Sequence, residues 1–143
     1  MTRAVYRATQ NPDRGYRAFA TKLHDGDSFW VMADTGFGSR FEPELRLLDV
    51  SAPELHPIEA GAQEVTDFVN RWLTNAAQAT PPRRWPLWVS VKQTTAFEPG
   101  DSQTFTRYLA TVWVFGQQGS PETSLNAMVN DLLALHPEWP AGQ

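Results

Sequence analysis

"RLLDVSAPEL", residues 46–55, decides how this chain is read. It opens with an arginine, runs through aliphatic residues interrupted by Asp49, and breaks into Ser-Ala-Pro-Glu. The apolar run reads as a strand, and a strand sends successive side chains to opposite faces. On an ideal strand Arg46 and Ser51 therefore face opposite ways, so the segment converges on one pocket only if the strand bends or ends near Val50. Pro53 agrees with such a break: it makes the preceding residue extended and gives Glu54 a definite position. A lone arginine at a strand edge is ordinarily solvated. What gives Arg46 interest is its company.

Just upstream lies "HDGDSFWV", residues 24–31, in which Asp25 and Asp27 flank a glycine at a strand start. Hard cations such as Ca²⁺ and Mg²⁺ take carboxylate oxygens, although Asp-Gly-Asp by itself is more often a turn. Further along, "FTRYLATVWVF", residues 105–115, is strongly β-prone, and Leu109, Thr111, Trp113 and Phe115 share the face of Arg107.

The pattern predicts strands near 4–9, 16–24, 27–34, 43–50, 87–95 and 105–115, with "DTGFGSRFEP" and "FEPGDSQ" as hairpin loops. A helix is expected within 58–77, because Ala62, Val65, Val69, Trp72 and Leu73 fall on one face with Phe68 beside them; Pro81 and Pro82 stop it. A second follows Thr123 or Ser124 as N-cap, its core face made by Leu125, Met128, Val129, Leu132 and Leu133. Most of the six tryptophans are assigned to core packing. "HPEWPAGQ", residues 136–143, reads as a tail. Strands, a helix, two strands and a helix fit a β-rich α+β fold: a five-stranded Greek-key barrel of the OB type with about two helices packed on it.

The 143 residues suit one domain with a core at about 18–135. With no cysteine, disulfides and thiolate metal sites are excluded. The N-terminal "MTRAVYRATQ" lacks the apolar stretch of a signal peptide and no run is long enough for a membrane helix, so a cytoplasmic, membrane-free protein is expected. The net charge is −4, with ten arginines and two lysines, so a broad basic footprint for nucleic acid is missing and any phosphate chemistry must use a few placed guanidinium groups. His24, His56 and His136 lack the spacing of a helical zinc motif.

Taken in order, "DGDSFWV" (25–31), "LRLLDVSAPE" (45–54), "FVNRWL" (68–73), "FTRYLA" (105–110) and "SLNAMVNDLL" (124–133) resemble the staphylococcal nuclease family. The likeness covers roughly residues 18–135; its middle motif is the most specific. The resemblance implies an OB barrel and Ca²⁺-dependent hydrolysis of phosphodiester bonds in DNA or RNA, single strands above all, with Mg²⁺ or Mn²⁺ as other candidate ions. It implies that Asp27 holds the metal, with the Ala52 backbone carbonyl as another ligand and Asp25 joining through water. Glu54 would position or deprotonate the attacking water, while Arg46 and Arg107 would bind the scissile phosphate and offset its growing charge. General chemistry agrees, since guanidinium forks and a hard cation stabilise the same phosphoryl oxygens.

Four positions depart from the family pattern. Ser51 stands where a second metal-binding aspartate is usual, so Ca²⁺ affinity is expected to fall; either Ser51 or Asp49 is left to complete the site. Phe105 replaces a tyrosine near the phosphate and can stack on a base without donating a hydrogen bond. Thr104 and Thr106 stand where lysine and glycine are frequent. The alternative expectation is a catalytically silent OB module that binds nucleic acid or a protein partner.

Overall fold

The computed structural model describes residues 13–92 and 107–141, apart from the side chains of Asp13 and Arg107. The strand expected at 4–9, the loop at 97–103 and Phe105 lie outside the described residues. Among the described residues there are six strands: β1 (Asp13–Asp25), β2 (Ser28–Gly36), β3 (Ser39–Phe41), β4 (Glu44–Leu47), β5 (Leu87–Lys92) and β6 (Arg107–Val114). The same residues form two helices, α1 (Ala62–Gln78) and α2 (Leu125–Ala134), with a 3₁₀ turn at Pro121–Thr123 before α2.

β1, β5, β6, β4 and β2 pair in that order, and β2 pairs back to β1, so five strands close into a barrel with β3 attached at the edge of β2. β1 serves two partners. Asp13–Ala18 pairs with β5, whereas Ala18–Asp25 pairs with β2 through register shifts between Ala20 and Lys22 and between Leu23 and Asp25. Such irregularities bend a strand and let one chain segment close a barrel. β4 and β6 pair in parallel, which requires a long crossover; α1 and β5 lie within it. This is the OB-type barrel of an α+β fold.

Alternation explains which residues fill it. Phe29, Val31 and Ala33 of β2 point inward, as do Leu45 and Leu47 of β4, Leu87 and Val89 of β5, and Ala110 and Val112 of β6. Each large buried side chain contributes roughly 1.5–3 kcal/mol. The helices add Val65, Val69, Leu73, Leu125 and Val129 to the same core. Trp72 is only partly buried against it, and Trp113 lies on the outer face of β6 with its indole N–H donating to the Ser120 carbonyl.

α1 starts after Gly61, whose φ of 85° suits glycine. It runs to Gln78, ending before the two prolines. Ser124, not Thr123, caps α2, its hydroxyl oxygen accepting from the Ala127 N–H at 3.0 Å. The segment read as a tail packs against the domain: Trp139 lies so close to Gly61 that a Cβ there would sit 2.2 Å from its ring.

β4 is shorter than the strand expected at 43–50. It stops at Leu47, and Asp49 takes a φ of 61° in the turn that follows. Aspartate tolerates this left-handed conformation better than most residues. The break near Val50 that the sequence required thus falls slightly earlier, at a turn.

Candidate functional site

The turn after β4 is what brings the quoted segment together. Leu47 N–H donates to the Asp27 carbonyl at 2.8 Å and Leu48 N–H to the Ala110 carbonyl at 2.8 Å, so the end of β4 is tied on both sides. Past Asp49 the chain doubles back, and the Ala52 N–H donates to Asp27 Oδ2 at 3.2 Å. Ser51 is exposed, Ala52 and Pro53 are buried, and Glu54 is half-buried. The loop beyond is closed reciprocally: Glu54 N–H donates to Glu59 Oε1 at 2.6 Å, and Glu59 N–H to the Glu54 carbonyl at 2.8 Å.

Asp25 and Asp27 are each only 5% exposed. Gly26 between them makes this possible, since a Cβ there would come 2.5 Å from Val65 Cγ1 of α1. Asp25 Oδ1 accepts from the Asp27 N–H at 3.2 Å and from the Ser28 hydroxyl at 3.0 Å. Two carboxyls this close cannot both ionise freely. Burial, a hydrogen bond with the Asp25 side chain and the Asp25 charge push the Asp27 carboxyl up to about 7, against the opposing pull of the Ala52 N–H and the Arg46 charge. Burial acts on Asp25 in the same upward direction but is outweighed. Hydrogen bonds from the Asp27 side chain, the Asp27 N–H and the Ser28 hydroxyl, with the His24 charge, hold its carboxyl below the usual range.

Arg46 lies opposite Ser28 across β2 and beside Leu109 across β6. Being two residues from Glu44 and between inward Leu45 and Leu47, it belongs to the outer face of the barrel. Arg107 opens β6 in register with Glu44, which puts it on the neighbouring strand two positions from the partner of Arg46. Asp25, Asp27, Arg46 and Ala52 are thus gathered by the β1–β2 turn, β4 and its following loop, with Glu54 two residues beyond Ala52 and Arg107 on the adjoining strand.

Asp49 is not drawn into the carboxylate pair. It is exposed on its turn, where its carbonyl accepts from Asn130 Nδ2 at 3.1 Å. Among the described residues no three His, Cys, Asp or Glu side chains are grouped to hold a metal ion.

Two residues that sequence reasoning passed over support this region. Glu44 is buried on the outer face and bonds His24 Nδ1 at 2.6 Å. Asn126, on the buried side of α2, donates from Nδ2 to the Leu48 and Ala110 carbonyls, both at 3.0 Å, and accepts from the Val112 N–H at 3.1 Å. Its signal was a polar residue beside Leu125 on an otherwise apolar helix face; Glu44 had no local signal, since its partner lies 20 residues away. The chain matches no protein-family model and no curated protein. No helix among the described residues is long and apolar enough to cross a membrane.

Proposed function

We propose that the protein is a metal-assisted phosphodiesterase acting on DNA or RNA, single strands in preference, as an endonuclease. The observation that carries this reading is the buried Asp25–Asp27 pair lying beside the Arg46 charge and under the Ala52–Glu54 segment.

The donor set suits a weakly held hard cation. Asp27 and the Ala52 carbonyl would bind it directly, Asp25 through water, and Ser51 would offer a neutral hydroxyl. A pair of buried carboxyls that retains a proton near neutrality has a deficit of positive charge, which a divalent ion would relieve. When bound, Ca²⁺, Mg²⁺ or Mn²⁺ supplies charge stabilisation to a phosphoryl oxygen.

The remaining work belongs to side chains. Arg46 offers a fixed guanidinium fork to the phosphate, and Arg107 a second from the adjacent strand. Glu54 orients the attacking water and accepts its proton. Cleavage of fluorescent single-stranded DNA and RNA, measured in EDTA and then in millimolar Ca²⁺, Mg²⁺ or Mn²⁺, tests the proposal. Metal-dependent turnover that falls at least roughly a hundredfold in Glu54→Gln is expected; cleavage surviving Glu54→Gln, Arg46→Ala and Arg107→Ala alike would overturn it.

Ser51 favours a second reading, a silent OB module that binds nucleic acid or a protein. Only one carboxylate, Asp27, is then a direct ligand, and the set lacks a third acidic group among the described residues. Tight binding without hydrolysis, indifferent to Ca²⁺, would select this alternative.

A further inference from the structure

The end of the barrel away from the carboxylates carries two features that neither reading uses. The first is Phe37 at the tip of the β2–β3 hairpin. It has a φ of 55° and sits between Gly36 and Gly38 at 95° and 76°, three left-handed residues in succession. Glycine and asparagine suit such a turn, whereas a bulky residue there is strained. The ring is also fully exposed, at 111%. Phe37 therefore incurs both a conformational and a hydration penalty, and no contact among the described residues offsets them.

The second is a cavity of about 140 Å³ at the barrel mouth, lined by Val31, Ala33, Leu45 and Val89, with Phe41 and Tyr108 among its walls. Phe41 and Tyr108 meet edge to face at 6.1 Å and are 50% and 46% exposed. An apolar cavity of about 150 Å³ accepts one benzene-sized ring. The hairpin rises from its rim, because Thr35 and Phe41 line the cavity and Gly36 pairs with Ser39 just beyond them.

We infer that the barrel mouth receives Phe37 of a second copy of this chain, two copies joining about a two-fold axis by reciprocal insertion of their hairpin tips. Knob and hole occupy the same end of one molecule. A two-fold axis can therefore seat each knob in the other's hole and close the assembly at two, where a head-to-tail contact would continue into a chain. Ser28, next to Asp27, lies at the opposite end of β2 from Gly36, about 26 Å away at 3.3 Å per residue, so the carboxylate pair stays open in the dimer, while Arg46 and Arg107 adjoin Leu45 and Tyr108 of the cavity wall. The inference does not rest on the proposed catalysis.

Sedimentation velocity from micromolar to sub-millimolar protein tests it. The wild type is expected to dimerise, and Phe37→Ser to weaken association at least roughly tenfold with no loss of thermal stability. Ala33→Leu, which fills the hole, should do the same, and the double variant should be little worse than either single one. Because Ala33→Leu could disturb the barrel, the fully exposed Phe37 variant is decisive. A wild type that stays monomeric throughout, or a dimer indifferent to Phe37→Ser, overturns the inference. So does a monomer in which Phe37→Ser abolishes nucleic-acid binding, which would make the ring a wedge between bases.

Discussion

The two ends of the barrel treat the same problem, exposure to water, in opposite ways. At the β1–β2 turn, Asp25 and Asp27 are taken out of water, and backbone N–H groups of Asp27 and Ala52 with the Ser28 hydroxyl meet their oxygens. Among the described residues no buried side-chain nitrogen or oxygen is left without a hydrogen bond. At the mouth, apolar Phe37, Phe41 and Tyr108 are left in water around a cavity. Burying a charge requires a supporting set of donors, which only a tightly tied turn provides. Leaving a ring exposed needs no such support, and the surface is completed from outside. The polar end is thereby suited to chemistry and the apolar end to association.

The largest expected effect falls on the tie that shapes the polar end. Asn126→Leu removes three hydrogen bonds at once and leaves the Leu48 carbonyl and the Val112 N–H wanting, while the Ala110 carbonyl keeps only the Leu48 N–H. A loss of about 3–5 kcal/mol in urea unfolding is expected; a loss as small as that of an exposed helix substitution would mean that the turn after β4 holds without α2. Gly26→Val comes next, since it drives a side chain into Val65. Overpacking of this kind costs about 1–3 kcal/mol, and the variant should also lose any cation-induced rise in melting temperature.

Asp27 sharpens the contrast through pH. Its folded carboxyl titrates near 7 against an ordinary 3.8, so the folded state keeps a proton that the unfolded chain gives up. The associated stability is full below pH 3.8 and is lost as pH rises to about 7. Asp25, shifted downward, acts in the opposite sense and offsets part of that loss. Asp27→Asn is expected to be more stable than the wild type at pH 8 by about 1–2 kcal/mol, with the advantage gone by about pH 4. Millimolar Ca²⁺ at pH 8 should raise the melting temperature of the wild type and not of this variant. Equal rises in both would place the cation elsewhere.

The smallest effect belongs to the apolar end. Phe37→Asn relieves a left-handed backbone without removing any buried contact. It should stabilise the isolated chain by less than about 1 kcal/mol at concentrations where association is negligible. A clear destabilisation would show that the ring packs against its own chain.

Much of this was legible in the residues. The 3.6-residue spacing of Val65, Val69 and Leu73 places α1, and Pro81 and Pro82 follow its end. Alternation along Phe29, Val31 and Ala33 separates the inside of β2 from its outside. Both signals are local, and both rest on the repeat of one element. Asp25, Asp27, Arg46 and Glu54 were picked out by motif, and the turn at Asp49 supplies the break that their convergence demands. The Glu44–His24 pair was not legible, because nothing within reach of Glu44 along the chain announces a partner on β1. Nor was the role of Asn126, which bridges two segments through backbone atoms that have no sequence identity of their own.

The sequence by itself determined the elements, the inward faces and the chemical kinds of group at each end, because periodicity and side-chain type are properties of a single segment. Only the tertiary structure decided that the barrel closes through β1, that two aspartates become a proton-sharing pair, and that a cavity opens below an exposed phenylalanine. Closure, desolvation and voids all depend on which distant segments come to lie together.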